Sequence, residues 1–83
     1  MGAIVLPKES GSFRAAYVVG KKFGIAAARN RIKRILREAF RAVAARGAGA
    51  ADMVFLPRAG GATLEERKAE IEKIFKDAGF IPR

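Results

Sequence analysis

Between Ala26 and Arg46 apolar residues return at spacings of three and four: Ala28, Ile32, Ile35, Leu36, Ala39, Phe40 and Val43. That spacing lays a continuous stripe along an α-helix, and the stripe needs a second layer to cover it. The rest of the same helix carries Arg29, Asn30, Arg31, Lys33, Arg34, Arg37 and Arg41. One face must therefore pack inward while the opposite face stays in contact with solvent or a ligand. Gly47 is expected to cap the C-terminal end.

A chain of 83 residues has room for a single core, because separate cores are not expected below about 250 residues. The other segments must supply the covering layer. Ala3 to Leu6 is a short aliphatic run closed by Pro7, and Phe13 to Val19 alternates, with Phe13, Ala15, Tyr17 and Val19 on one side. Joined by the polar stretch Lys8 to Ser12, which includes Gly11, the two runs read as an antiparallel hairpin. Met53-Val54-Phe55-Leu56, opened by Asp52 and closed by Pro57, predicts a buried strand. Thr63 and Glu66 form a capping box for a last helix with the stripe Leu64, Ile71, Ile74, Phe75 and Ala78. Gly79 ends that helix, and Phe80, in a tail running to Arg83, is expected to fold back on it. The order β-β-α-β-α predicts one α+β domain over residues 1–83: a small sheet with helices packed on one face, and parallel strands flanking the first helix.

Charge divides the chain unevenly. Lys and Arg number 17 against 8 acids, a net of +9, which points to a polyanionic partner. Residues 21–46 hold nine of the basic residues and one acid, Glu38, whereas residues 63–83 hold five of each. The pairs Arg29/Lys33, Lys33/Arg37 and Arg37/Arg41 repel at i,i+4, a penalty that a bound polyanion relieves. In the last helix Glu66/Lys73, Glu70/Lys73 and Glu72/Lys76 place opposite charges within reach, as on a solvated face. Glu65 and Glu66 there suit the positive helix end better than a paired-carboxylate active site. Arg outnumbers Lys on the cationic helix, which favours bidentate phosphate binding. Ile32, Leu36 and Phe40 are needed in the core, which argues against a membrane-surface helix. Asn30 suits either a base edge or sugar hydroxyl, or capping near the helix start. Lys21 and Lys22, between Gly20 and Gly24, are placed in a loop at a strand end.

The absences narrow the chemistry further. The chain has no Cys and no His, so thiolate and imidazole catalysis and their metal sites are excluded. The acids are scattered, which speaks against an autonomous nuclease built on a carboxylate-bound metal. No apolar run approaches the roughly 20 residues of a membrane span. The first residues lack a basic region and an apolar run long enough for a secretory signal, and a cytoplasmic location is expected.

The segment Lys21-Lys22-Phe23-Gly24-Ile25-Ala26-Ala27-Ala28-Arg29-Asn30-Arg31-Ile32-Lys33-Arg34-Ile35-Leu36-Arg37-Glu38-Ala39-Phe40-Arg41 resembles the protein subunit of bacterial ribonuclease P. Arg14 to Val19 resembles the strand before that motif, and Asp52 to Arg58 the strand after it. The resemblance implies a ribosomal protein S5 domain 2-like fold with a left-handed βαβ crossover. It also implies an accessory, RNA-binding subunit that assists a catalytic RNA in removing the 5′ leader from precursor tRNA. The cleavage and its Mg²⁺ then belong to the RNA, with no cofactor bound by the protein alone. By the same likeness Lys21, Lys22, Arg29, Asn30, Arg31, Lys33, Arg34 and Arg37 face RNA, and the cationic half of the helix adds Arg41. Tyr17 and Phe23 are candidates for stacking on the leader. Family members usually begin with a further helix and strand, whose aromatic residues line the leader cleft. Without them an exposed sheet edge makes a second copy of the chain a candidate partner. The alternatives are a truncated or engineered family variant, or a general basic nucleic-acid-binding module without tRNA-processing activity.

Overall fold

The run Ala51–Leu56 is the most deeply buried strand, and the fold is built around it. In the computed structural model, which describes residues 1–82, it is the central strand of three. The elements in order are β1 (Gly2–Pro7), β2 (Phe13–Tyr17), a single 3-10 turn at Lys21–Phe23, α1 (Ala26–Ala44), β3 (Ala51–Leu56) and α2 (Leu64–Asp77). Arg83 of the expected tail lies outside the described residues. The strand order is β1-β3-β2. β1 runs antiparallel to β3 with Ile4 opposite Val54, and β2 runs parallel to β3 with Ala16 opposite the same residue.

The expected hairpin between the first two strands does not form. β1 and β2 do run in opposite senses, but β3 lies between them, and Lys8 to Ser12 spans that gap with Gly11 at φ 103°, a left-handed value that favours glycine. Alternation identifies a strand's faces and leaves its neighbours open. Placing the most buried strand in the middle satisfies its backbone on both edges.

Side-chain alternation on β3 gives the sheet one dry face. Ala51, Met53 and Phe55 are buried in a core with Ile32, Leu36, Ala39 and Val43 of α1 and Ile71 and Phe75 of α2. Aromatic rings knit the layers: Phe40 of α1 lies 5.7 Å from Phe55 and 5.9 Å from Phe75, centroid to centroid. Phe13 reaches Phe75 at 5.0 Å and Phe80 at 5.1 Å. Phe80 folds back as expected: its N–H donates to the Phe75 carbonyl while Gly79, at φ 85°, takes the left-handed position of a helix C-cap. The opposite sheet face is open, with Ile4, Leu6 and Val18 at 52%, 59% and 53% exposure.

Three local expectations change. α1 ends at Ala44, and Gly47 is no left-handed cap. Its value is closeness: a Cβ there would stand 3.0 Å from the Phe13 ring and 3.2 Å from Phe75. Ala78, assigned to the α2 stripe, is exposed. In its place Arg67, only 3% exposed, donates to the Ala59 carbonyl and to Glu70 at 3.0 Å, tying α2 to the loop after β3. Among the described residues no helix is long and apolar enough to cross a membrane.

Phe75→Ala should lower unfolding stability by about 3–5 kcal/mol, a large share of what a small domain has. Ile4→Ala, on the open face, should stay within about 0.5 kcal/mol. Denaturant titration of both variants checks the assignment of the two sheet faces.

Candidate nucleic-acid interface

Parallel pairing sets the geometry of the interface. Because β2 and β3 run the same way, their C-terminal ends lie side by side, and the segments that follow them become neighbours. Lys21 and Lys22 occupy the 3-10 turn after β2, both exposed. Gly24, at φ 107°, lets the chain swing from that turn into α1, a conformation that other residues rarely adopt. The Lys22 ammonium stands 5.1 Å from the centre of the Phe23 ring. At this end of the sheet a groove of about 620 Å³ is lined by Val18, Lys21, Lys22, Phe23, Leu56 and Arg58 among others. Arg58 was not among the binding residues expected from sequence. Its signal lies in the topology: parallel strands bring the residue after Pro57 beside the two lysines.

The start of α1 is bare. Ile25 occupies the N-cap position without a side-chain hydrogen bond, and the first turn holds no acid. Helix N–H groups without partners, at the positive end of the dipole, attract anions. Asn30 is exposed within the helix and does not cap it. Arg31, Arg34, Arg37 and Arg41 are exposed, whereas Arg29 and Lys33 are half-buried, the Arg29 Nε without any hydrogen-bond partner. Arg31 borders a hollow of about 370 Å³ with Phe23, Ile32 and Gly60. Arg37 and Arg41 border another, of about 430 Å³, with Tyr17.

The two candidate stacking residues are not brought together. Phe23 belongs to the sheet end, while Tyr17 lies on the helix-covered face, its ring stacked 6.0 Å from Phe55. Burial pushes the Tyr17 hydroxyl above its ordinary pKa, and Arg37 and Arg41 pull partly the other way.

Among the described residues Arg46 alone, of the nine cations in 21–46, meets a carboxylate, that of Glu72. α2 is the opposite case. Lys76 pairs with Glu72 at 3.4 Å, Lys68 with Glu65 at 3.3 Å and Arg67 with Glu70 at 3.0 Å. Glu66 closes the capping box with Thr63 and Glu70 pairs with Arg67, so among the described residues neither the expected Glu66/Lys73 nor the expected Glu70/Lys73 pair forms.

A family model described as Ribonuclease P matches residues 2–79. The chain belongs to the ribonuclease P protein family. The ribonuclease P protein component of Dehalococcoides mccartyi is 41% identical over 71 residues, which make up 86% of this chain and 56% of that protein. The match thus spans little more than half of that relative. Among solved structures, the RNase P protein of Staphylococcus aureus superposes with a TM-score of 0.74 at 29% identity, covering 95% of this chain and 74% of that one. That of Thermotoga maritima gives 0.75 at 25% identity, covering 89% and 75%. The ribonuclease P proteins share the small α+β architecture described above.

In this member of the ribonuclease P family one carboxylate organises the open sheet face. Asp52 Oδ1 accepts from Arg14 Nε at 3.1 Å and lies 3.0 Å from Lys8 Nζ. Arg14 stands directly opposite Asp52 in the parallel register. Hydrogen bonds from Arg14, then from Lys8, hold the Asp52 carboxyl below the usual carboxylate range. A depressed folded-state pKa means that this stabilisation is complete above the unfolded-state value and is lost as pH falls through the folded one. An NMR titration should therefore place the Asp52 midpoint below 3.8, and Arg14→Ala should raise it. A midpoint unmoved by that substitution would remove Arg14 as the main cause.

Proposed function

We propose that this chain is the RNA-binding component of a ribonuclease P ribonucleoprotein, in which it helps a catalytic RNA remove the 5′ leader from precursor tRNA. The reading rests on one observation: among the described residues the cations of 21–46 are left without carboxylate partners, Arg46 excepted, while three of the four cations of α2 are paired. A self-repelling helix face held in place by the core suits a partner that brings its own negative charge. Arg31, Arg34, Arg37 and Arg41 offer bidentate forks to RNA phosphates, Arg29 and Lys33 back them, and Asn30 adds a neutral donor and acceptor. The groove at the sheet end suits a single strand, with phosphates at Lys21, Lys22 and Arg58, and bases against Val18, Leu56 and the Phe23 edge.

The chemistry falls to the RNA and its Mg²⁺. Among the described residues no three carboxylates gather as a metal site needs, and Asp52 is engaged by two cations, Glu66 by the helix cap and Glu72 by Arg46 and Lys76. The protein's part is to neutralise phosphates where two RNAs meet. A second copy of the chain is the weaker partner: Pro7 withholds a donor from the outer edge of β1, and two chains of +9 repel.

If about six phosphates are neutralised, log K for a ribonuclease P RNA should fall with log salt at a slope of roughly −4 to −5. The decisive measurement is precursor-tRNA cleavage by that RNA at low Mg²⁺, with and without the chain. Stimulation is expected; no stimulation, with equal affinity for unrelated RNA, would leave only a general basic module. Arg31→Ala should weaken RNA binding at unchanged melting temperature, which thermal denaturation alongside a binding titration checks.

A further inference from the structure

The outer edge of β2 is a second, unassigned surface. The Val18 N–H donates to the Phe55 carbonyl at 3.0 Å, and the parallel register sets Arg14 and Ala16 opposite Asp52 and Val54. In a parallel ladder a residue's N–H and C=O point the same way, and successive residues point oppositely. The even-numbered residues of β2 therefore face β3, and the N–H and C=O groups of Phe13, Ala15 and Tyr17 project from the other edge. Among the described residues no strand lies there. The edge is only lightly protected: β2 reads Phe-Arg-Ala-Ala-Tyr, with one charge, that of Arg14, no proline and no charge turned inward.

The edge has a charged wall. The hollow beside it, about 430 Å³, is lined by Phe13, Ala15 and Tyr17 from β2 and by Arg37, Phe40 and Arg41 from α1, among others. Arg37 and Arg41 are exposed, and among the described residues neither meets a carboxylate. Four helical residues rise about 6 Å, and alternate side chains of a strand lie about 6.6 Å apart. Two acids at i and i+2 of an added strand thus match the spacing of the two arginines. On the other side the intervening side chains meet Ala16 and Val18, with Arg14 at the start of the strand. A phosphodiester chain brings acceptors to such an edge, but the three carbonyls need donors at a strand repeat, which a peptide's amides supply.

We propose that the free edge of β2 takes an extended acidic peptide as a fourth, ladder-paired strand, with alternate carboxylates against Arg37 and Arg41. Because both arginines also belong to the RNA-facing set, the peptide and RNA compete for them, although peptide binding itself does not depend on the RNA reading.

The test titrates the whole chain with a blocked heptapeptide alternating Val and Glu, read by backbone amide NMR and hydrogen exchange. Shifts centred on Phe13, Ala15 and Tyr17, with slowed exchange at those amides, are expected. Methylating the peptide nitrogens that face β2 should weaken binding at least tenfold, and so should grouping the same glutamates at one end. Both controls leave the protein unaltered, so neither depends on a variant that folds. The double variant Arg37→Ala, Arg41→Ala should also lose at least tenfold. Equal binding by the methylated or regrouped peptide would overturn the proposal and leave only charge attraction. So would protection of the same amides by an RNA oligonucleotide but not by the peptide, which would make the edge an RNA surface. Arg31→Ala, followed with ribonuclease P RNA in the same samples, reports on the RNA reading separately.

Discussion

Burial of the inward side of β3 beneath both helices is the interaction on which the other features depend. Ala51, Met53 and Phe55 share one core with Leu36 and Phe75, and each large apolar side chain removed from water contributes about 1.5–3 kcal/mol. That burial holds β3 in the centre, and the centre position determines the rest. β2 pairs with it in parallel, so the crossover through α1 brings Lys21 and Lys22 next to Arg58. The stripe of α1 points at the sheet, so its arginines point away. The candidate interface is thus a consequence of the core, assembled from segments far apart in the chain.

The core also bears an electrostatic load. The surface of α1 has cations at successive i,i+4 positions and an uncapped start, so the isolated helix would be poor by both measures. Tertiary packing must hold it, as is usual for helices whose stability derives from an apolar face. α2 is the contrasting case in the same chain: a capping box, acids in the first turn, a lysine in the last and three ion pairs along its length. The contrast between the two helices supports the proposed RNA-binding role of α1 more firmly than net charge does.

Much of this was legible in the residues. Periodicity located both helices and all three strands, because burial imposes its period directly on the sequence. The Thr63/Glu66 cap was readable because it is local. What the pattern withheld was adjacency. The aliphatic run Ala3 to Leu6 marks a strand, alternation in Phe13 to Val19 marks faces, and the short link suggests a hairpin, but the gain from burying β3 between them is a long-range term. Arg58 was hidden for the same reason, since only the parallel pairing carries it to the lysines. Arg67 was hidden by its type: a cation on a helix reads as surface until the Ala59 carbonyl and Glu70 are seen to satisfy it. Gly47 was assigned the commoner of two glycine roles, conformational freedom, when the structure uses its lack of a side chain.

The open sheet face shows how the chain keeps positive charge on an apolar surface. Ile4, Leu6, Val18 and Leu56 are exposed there, and bare aliphatic area of that kind invites association with other chains. Lys8 and Arg14 stand over it from either side of β3, and the single Asp52 carboxylate lies within reach of both. Two cations held by one anion leave a net positive charge, so the triad gives the face fixed polarity without cancelling its attraction for anions. Replacing Asp52 by a neutral residue would free the two cations to repel; adding a second acid would remove the attraction. A ratio of two to one, at a register position where β3 faces both neighbouring strands, keeps the surface ordered and still cationic.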